Sequence, residues 1–116
     1  MNKKPKEPLK PEQILAKKRA TIALQNMTNI KLQINNNKIV TFGPNKGQWT
    51  LYKELIIAPH QCMTTDLIED ENHQLMVYSN PDPDIFFYMI RDTDLYDKLT
   101  VQLYDDHFKF IDGLIC

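Results

Sequence analysis

The chain has 116 residues, of which 42% are hydrophobic and 25% charged, and 14 Lys and Arg nearly balance 15 Asp and Glu. These values are typical of one globular domain, whose core can form without a metal or a disulfide framework. No segment approaches the roughly 18 apolar residues of a membrane span, and the basic N-terminus lacks the apolar stretch of a secretory signal. We therefore expect a cytoplasmic protein with no membrane partner.

The charges are distributed unevenly along the chain. Residues 1–58 contain 11 Lys and Arg against 3 Asp and Glu, a net charge of +8, whereas residues 59–116 contain 3 against 12, a net charge of −9. This asymmetry is typical either of a basic surface that meets a polyanion or of two halves that neutralise each other in the folded protein. The sequence leaves both alternatives open.

The first 29 residues predict a tail followed by a helix. Residues 1–10 contain four Lys and two Pro and almost nothing apolar, which predicts a flexible basic tail. Pro11 and Glu12 are typical of the first turn of a helix. Apolar residues then recur at spacings of three and four, so an N-terminal α-helix that is part of the domain is expected over residues 11–29. These residues are Ala16, Ala20, Ala23, Leu24 and Met27.

After Asn29 the apolar period changes to two, which predicts strands. Alternation over residues 30–34 and 38–42, separated by Asn35-Asn36-Asn37, predicts a hairpin whose turn is the Asn run. Residues 43–47 carry two Gly and a Pro and predict a loop. In the strand that follows, one face is expected to carry Trp49, Leu51, Leu55 and Ile57, with Lys53 as the exception.

The remainder of the chain predicts further short strands near residues 63–68, 74–79, 85–90, 99–103 and 107–111. The 85–90 segment is almost continuously apolar, as expected for a strand that is buried on both faces. Turn signals recur about every 8–12 residues, which is typical of a small barrel or sandwich. The expected fold class is mainly β (α+β), with a barrel-like domain over residues 30–116.

Basic residues in the first half form the candidate nucleic-acid site. They occur on the predicted helix, the first hairpin, the Gly-Pro loop and the next strand, which are neighbours along the chain. Lysine charge suits a phosphate backbone, and an aromatic ring after the loop could stack on a base. The candidate residues are Lys17, Lys18, Arg19, Lys31, Lys38, Lys46, Trp49 and Lys53. The alternative is that these are solvated lysines, some of them paired with the acidic half.

No motif indicates an enzyme, a metal site or a cofactor. The chain lacks GxSxG, P-loop and GxGxxG motifs, and its His and Cys residues lack the spacing of a zinc site. Cys62 and Cys116 could form a disulfide, but two reduced thiols are favoured because nothing else suggests export. We therefore expect a protein that is not an enzyme and has no catalytic residues.

The layout of a basic lead of about 30 residues followed by short strands, with a Lys-, Asn- and Ile-rich composition, resembles the PrgU-type regulators of Gram-positive conjugative plasmids. That resemblance covers most of the chain through its length and layout. It implies a PUA-like pseudobarrel and an RNA-linked control of transfer-gene expression. It assigns no individual functional residues.

Two functions of different classes are therefore expected. The first is a non-enzymatic cytoplasmic RNA-binding regulator that limits expression of other genes. The alternative is a protein-binding adaptor or inhibitor that uses its acidic half or a free sheet edge. A homodimer is compatible with either function, because the same charge asymmetry can drive self-association.

Overall fold

The computed structural model describes residues 19–82 and 84–116, and this part of the chain is nearly all β. Eight strands form two four-stranded sheets, sheet A in the order β4-β1-β7-β8 and sheet B in the order β3-β2-β5-β6. Strands β1 and β7 are parallel, and all other neighbouring strands are antiparallel. The strands are β1 Arg19–Asn26, β2 Leu32–Ile39, β3 Trp49–Ile57, β4 Cys62–Ile68, β5 His73–Ser79, β6 Phe86–Arg91, β7 Leu99–Leu103 and β8 Phe108–Asp112.

The core lies between the two sheets. Alternate residues of β1 and β7 in sheet A, and of β2 and β5 in sheet B, are fully buried and form one apolar cluster. Its largest members include Ile22, Leu24, Ile34, Leu75 and Leu103. No described backbone pairing joins β3 to β4 or β6 to β8, so the expected barrel is wrong and the two sheets stay open at their edges. No described helix is long and apolar enough to cross a membrane.

The predicted helix over residues 11–29 is wrong where the structure describes it. Residues 19–26 form β1, the strand between β4 and β7. Ala20, Ile22 and Leu24 face the core at a spacing of two, and two of them, Ala20 and Leu24, also belong to the predicted helical face. Pairing on both sides satisfies the backbone of this segment and overrides its helix propensity. Residues 11–18 of the predicted helix, and the predicted tail, lie outside the described residues.

The predicted hairpin over residues 30–42 is also displaced. Strand β2 continues through all three asparagines to Ile39, and the chain reverses at residues 41–48 instead. The hairpin closes through the hydrogen bonds from Val40 N to Gln48 O and from Gly47 N to Val40 O. The asparagines stay extended because Asn36 is fully buried and hydrogen-bonded to β4 and β5, which no turn position would allow.

A β-bulge in β3 changes which of its residues face the core. Asn36 pairs with Lys53, but Asn37 pairs with Leu51, so Tyr52 is an extra residue in β3. A bulge of this kind reverses the alternation beyond it. Leu55 and Ile57 are therefore buried, whereas Trp49 and Leu51 are about half exposed on the opposite face. The prediction that these four side chains share one face is wrong.

Strand β6 is an edge strand rather than one buried on both faces. It pairs with β5 alone, and Phe86 and Met89 are exposed at 47% and 39%. Only Ile90 is fully buried, while Phe87 and Tyr88 are partly buried against the core. The apolar run therefore contributes one side to the core and one side to the surface.

The C-terminal residues 113–116, called here the C-terminal strap, leave β8 and lie against sheet A. The side chain of Thr100 donates a hydrogen bond to the carbonyl of Gly113 and accepts one from the backbone N–H of Ile115. Cys116 then forms a disulfide with Cys62 on β4. The expectation of two reduced thiols is wrong in this structure, because the topology brings the last residue to the edge of sheet A.

Candidate functional site

Two of the candidate basic residues meet a single carboxylate where β3 and β4 approach each other. Arg19 on β1 and Lys53 on β3 bind the two carboxylate oxygens of Asp66 on β4, at 2.6 Å and 2.5 Å. The hydroxyl of Tyr52 donates a hydrogen bond to the same carboxylate. These contacts outweigh partial burial and hold the pKa of Asp66 well below its ordinary value. Arg19 and Lys53 thus share one negative charge from the acidic half of the chain, which offsets one of their two positive charges.

A third candidate, Lys38, is also paired with a carboxylate. Its ammonium group contacts the carboxylate of Glu71, whose side chain is only 5% exposed. The pair lies at the same end of the molecule as Asp66, since Lys38 pairs with His73 in the β2–β5 register. This end of the fold therefore mixes both signs of charge and is not a basic surface.

The other candidates are separated from that cluster. Lys31 lies before β2, at the opposite end of sheet B, where the N–H of Asn80 donates to its carbonyl. Lys46 is exposed on the β2–β3 hairpin, and Trp49 follows it with a 46% exposed side chain. Lys17 and Lys18 lie outside the described residues. The structure thus groups Arg19, Lys38 and Lys53 around carboxylates and leaves Lys46 with Trp49 on a projecting hairpin.

A buried polar network lies behind the Asp66 cluster. His73 is 1% exposed; its Nε2 accepts a hydrogen bond from the N–H of Ile68, and its Nδ1 is 2.8 Å from the side-chain oxygen of Asn36. The Asn36 amide then donates to the side chain of Thr65 and to the carbonyl of Asp66. Burial lowers the pKa of His73. Every polar atom of this network has a partner, which is typical of a structural link between the sheets.

The outer face of sheet B carries several exposed apolar side chains. The alternation in β2 and β5 and the pairing registers place these side chains on the side away from the core. The residues of this face, apolar and polar together, form three rows across the four strands and one apolar pair at the hairpin end. The rows are Ile56-Gln33-Tyr78-Phe86, Glu54-Asn35-Met76-Met89 and Leu51-Asn37-Gln74-Arg91, and the pair is Trp49-Ile39.

The composition of this outer face differs from strand to strand. The central strand β2 presents amides, whereas the edge strands β3 and β6 present most of the exposed apolar groups. Side-chain exposure is 53% for Leu51, 42% for Ile56 and 47% for Phe86. Exposed apolar side chains grouped with hydrogen-bonding amides are typical of protein interaction surfaces.

A depression of about 370 Å³ indents the hairpin end of this face. Trp49 and Ile39 form one wall, and Met89, Arg91 and Thr93 lie on the other side. The depression is open and has no buried unpartnered polar atom, because every buried side-chain nitrogen and oxygen of the described residues is hydrogen-bonded. It can receive an apolar side chain of a partner.

Sequence reasoning placed Trp49 among the functional candidates but assigned Leu51, Ile56, Phe86 and Met89 to no site. The bulge at Tyr52 moved Leu51 out of the predicted core face, and Phe86 and Met89 are exposed because β6 is an edge strand. No group of three or more His, Cys, Asp or Glu among the described residues is placed to hold a metal ion.

Comparisons with known proteins give no family for this chain. No family model and no curated protein match it. A solved structure described as "Trapped Toxin" is similar with a TM-score of 0.45 and 11% sequence identity. The similarity covers 84% of this chain and 24% of that one, so the chain spans about a quarter of that protein's length. A likeness of this degree gives no conclusion about function.

Proposed function

We propose that this chain is a non-enzymatic protein-binding module whose contact surface is the outer face of sheet B. The observation that carries the proposal is the exposed apolar side chains on both edge strands of this face, Leu51 and Ile56 on β3 and Phe86 and Met89 on β6. A face of this kind costs free energy while it is in contact with water and is stabilised when an apolar surface of another protein covers it.

The charge around this face favours a protein over a nucleic acid. Asp82 and Asp84 precede Phe86, and Asp92 and Asp94 follow Arg91, so carboxylates border the β6 side of the face. Phosphate groups would be repelled there, whereas a protein surface can present its own cations.

The experiment is a capture assay with the purified, tagged chain in nuclease-treated lysate, compared across matched variants. We expect Met89→Ser to abolish capture of the bound protein. Met63→Ser is the matched control, because Met63 is equally exposed at 39% but lies on β4 of sheet A. Capture that both variants preserve, or that both lose, would contradict a contact through sheet B.

RNA binding is the second candidate, and one observation favours it: Lys46 and Trp49 are both exposed on one projecting hairpin. A cation beside an aromatic ring suits a single-stranded segment, whose phosphate and base they would contact. Fluorescence anisotropy with single-stranded RNA over a salt series tests it. Binding that weakens in Lys46→Glu and in Trp49→Ala would support RNA; no binding at low salt would exclude this role for the hairpin.

Control of transfer-gene expression and a cytoplasmic location remain predictions. The Cys62–Cys116 disulfide counts against the cytoplasm, since disulfides persist mainly in oxidising compartments. Alkylation of thiols in intact cells, followed by mass measurement of the chain, tests the location. Two alkylated cysteines would indicate a reducing compartment, and none would indicate an oxidising one.

A further inference from the structure

We infer that the partner of the outer face of sheet B is a second copy of this chain, which binds face to face about a two-fold axis parallel to the strands. The inference rests on the proposed function, because it uses the same surface. It adds the identity of the partner and the arrangement of the two copies.

The two edge strands of sheet B carry opposite charges on the outer face. Glu54 on β3 and Arg91 on β6 lie on opposite edge strands, in adjacent rows of the outer face. Neither forms an ion pair with another described residue. A two-fold axis parallel to the strands places β3 of one copy over β6 of the other, because it exchanges the left and right edges of the sheet.

That arrangement brings each Glu54 within one row of Arg91 of the second copy. Same-face neighbours along a strand are about 7 Å apart and packed sheets about 10 Å apart. The two long side chains can cover these distances and meet between the sheets. The contact occurs twice, once at each edge, as a symmetric interface requires.

The hairpin end adds a second complementary contact. Lys46 lies on the hairpin beyond the Ile39–Trp49 pair, on the β3 side. The turn Asp92–Asp94 follows β6 at the same end, where Asp92 accepts a hydrogen bond from the N–H of His73. The same axis therefore places each Lys46 near the acidic turn of the second copy.

The apolar groups match in the same arrangement. Ile56 and Phe86 lie at opposite ends of one row, so the axis places each over the other residue of the second copy. In that row Gln33 meets Tyr78, an amide and a phenol that can hydrogen-bond. In this row the parallel-axis pairing brings apolar groups onto apolar groups and hydrogen-bonding groups onto each other. In the next two rows it sets Glu54 over Met89 and Leu51 over Arg91, so the two charged side chains meet along the diagonal between those rows.

Analytical ultracentrifugation of the full chain, at concentrations from about 1 to 200 μM, measures the monomer–dimer equilibrium and so tests the proposal. We expect a dimer, and we expect Glu54→Arg and Arg91→Glu each to weaken it roughly tenfold or more, because each creates two like-charge contacts. An equimolar mixture of the two variants should form a heterodimer, since both edges are then complementary. Lys109→Glu, on β8 of sheet A, is the control and should dimerise like the unmodified chain.

Each outcome has one meaning. Heterodimer formation by the mixture supports the inference, because only edge-to-edge exchange between two copies restores complementarity. A monomer at 200 μM overturns it, as does a dimer that both charge reversals leave unchanged. If the chain is monomeric but Met89→Ser still abolishes capture of another protein, the proposed function stands and only the second copy is excluded.

Discussion

Loss of the disulfide between Cys62 and Cys116 is expected to destabilise the fold strongly. The bond closes a segment of 54 residues, and a cross-link of this span restricts the unfolded chain by an entropy that corresponds to about 4 kcal/mol. Domains of this size unfold with about 5–15 kcal/mol. The bond therefore supplies a large share of the stability.

The perturbation is Cys116→Ser, and the assay is equilibrium unfolding in urea. With a urea dependence of about 1–2 kcal/mol per molar, the midpoint should fall by about 2–4 M. Cys116 is exposed at the chain end, so the substitution itself removes no core packing. Reduction of the unmodified chain should lower its midpoint to that of the variant, and the variant should not respond to reductant.

Two results would refute this reasoning. One is a midpoint for Cys116→Ser within about 0.5 M of the unmodified chain under oxidising conditions. The other is the reaction of both cysteines with a maleimide when the unreduced chain is denatured, since that would show that the bond is absent. Either would mean that the C-terminal strap is held only by its hydrogen bonds to Thr100.

Three further predictions concern stability. Burial lowers the pKa of His73 from 6.5, so the unfolded chain takes up this proton at a higher pH than the folded one. The urea midpoint should therefore fall as the pH is lowered below about 6.5. A constant midpoint between pH 7 and 5 would contradict this prediction. This pH range is separate from that of Asp66, because the lowered pKa of Asp66 stabilises the fold above 3.8 and this contribution is lost only as the pH falls through 3.8. Asn36→Ala leaves the buried His73 without its Nδ1 partner and should lower the unfolding free energy by about 1–3 kcal/mol. Asn35→Ala, on the outer face, should lower it much less. Equal losses of unfolding free energy would argue against the buried network. Phe42→Ser should change the unfolding free energy by less than about 0.5 kcal/mol, because Phe42 is 82% exposed; a larger loss in calorimetry would mean that the hairpin packs against the body.

The sequence predicted most strand positions after residue 60, because short alternating segments with turn residues between them have few other solutions. The fold class that it predicted, a barrel with an N-terminal helix, is wrong. The prediction failed at β1, where Ala20 and Leu24 fit a helical and an extended period at once. Only the pairing of β1 with β4 and β7 decides between them. No local pattern carries that information.

The candidate site was predicted less well for a related reason. The charge of Lys and Arg is visible in a sequence, but its pairing with Asp66 or Glu71 depends on contacts that span 13 to 47 residues. The exposed face of sheet B was hidden by one extra residue, Tyr52, which moved Trp49 and Leu51 out of the apparent core face. Of the described basic set, four residues are exposed, namely Arg19, Lys31, Lys46 and Lys53. Their contact role stays a prediction.

The parallel pairing of β1 with β7 has a consequence for how the chain folds. Strand β1 lies inside sheet A, yet its partner is almost at the other end of the sequence: Gln25 and Gln102, 77 residues apart, are hydrogen-bonded. Sheet A cannot be completed on the ribosome until β7 has emerged, and closing so long a segment is slow. During that interval β1 has only β4 beside it, and its open edge is free to pair with another nascent chain.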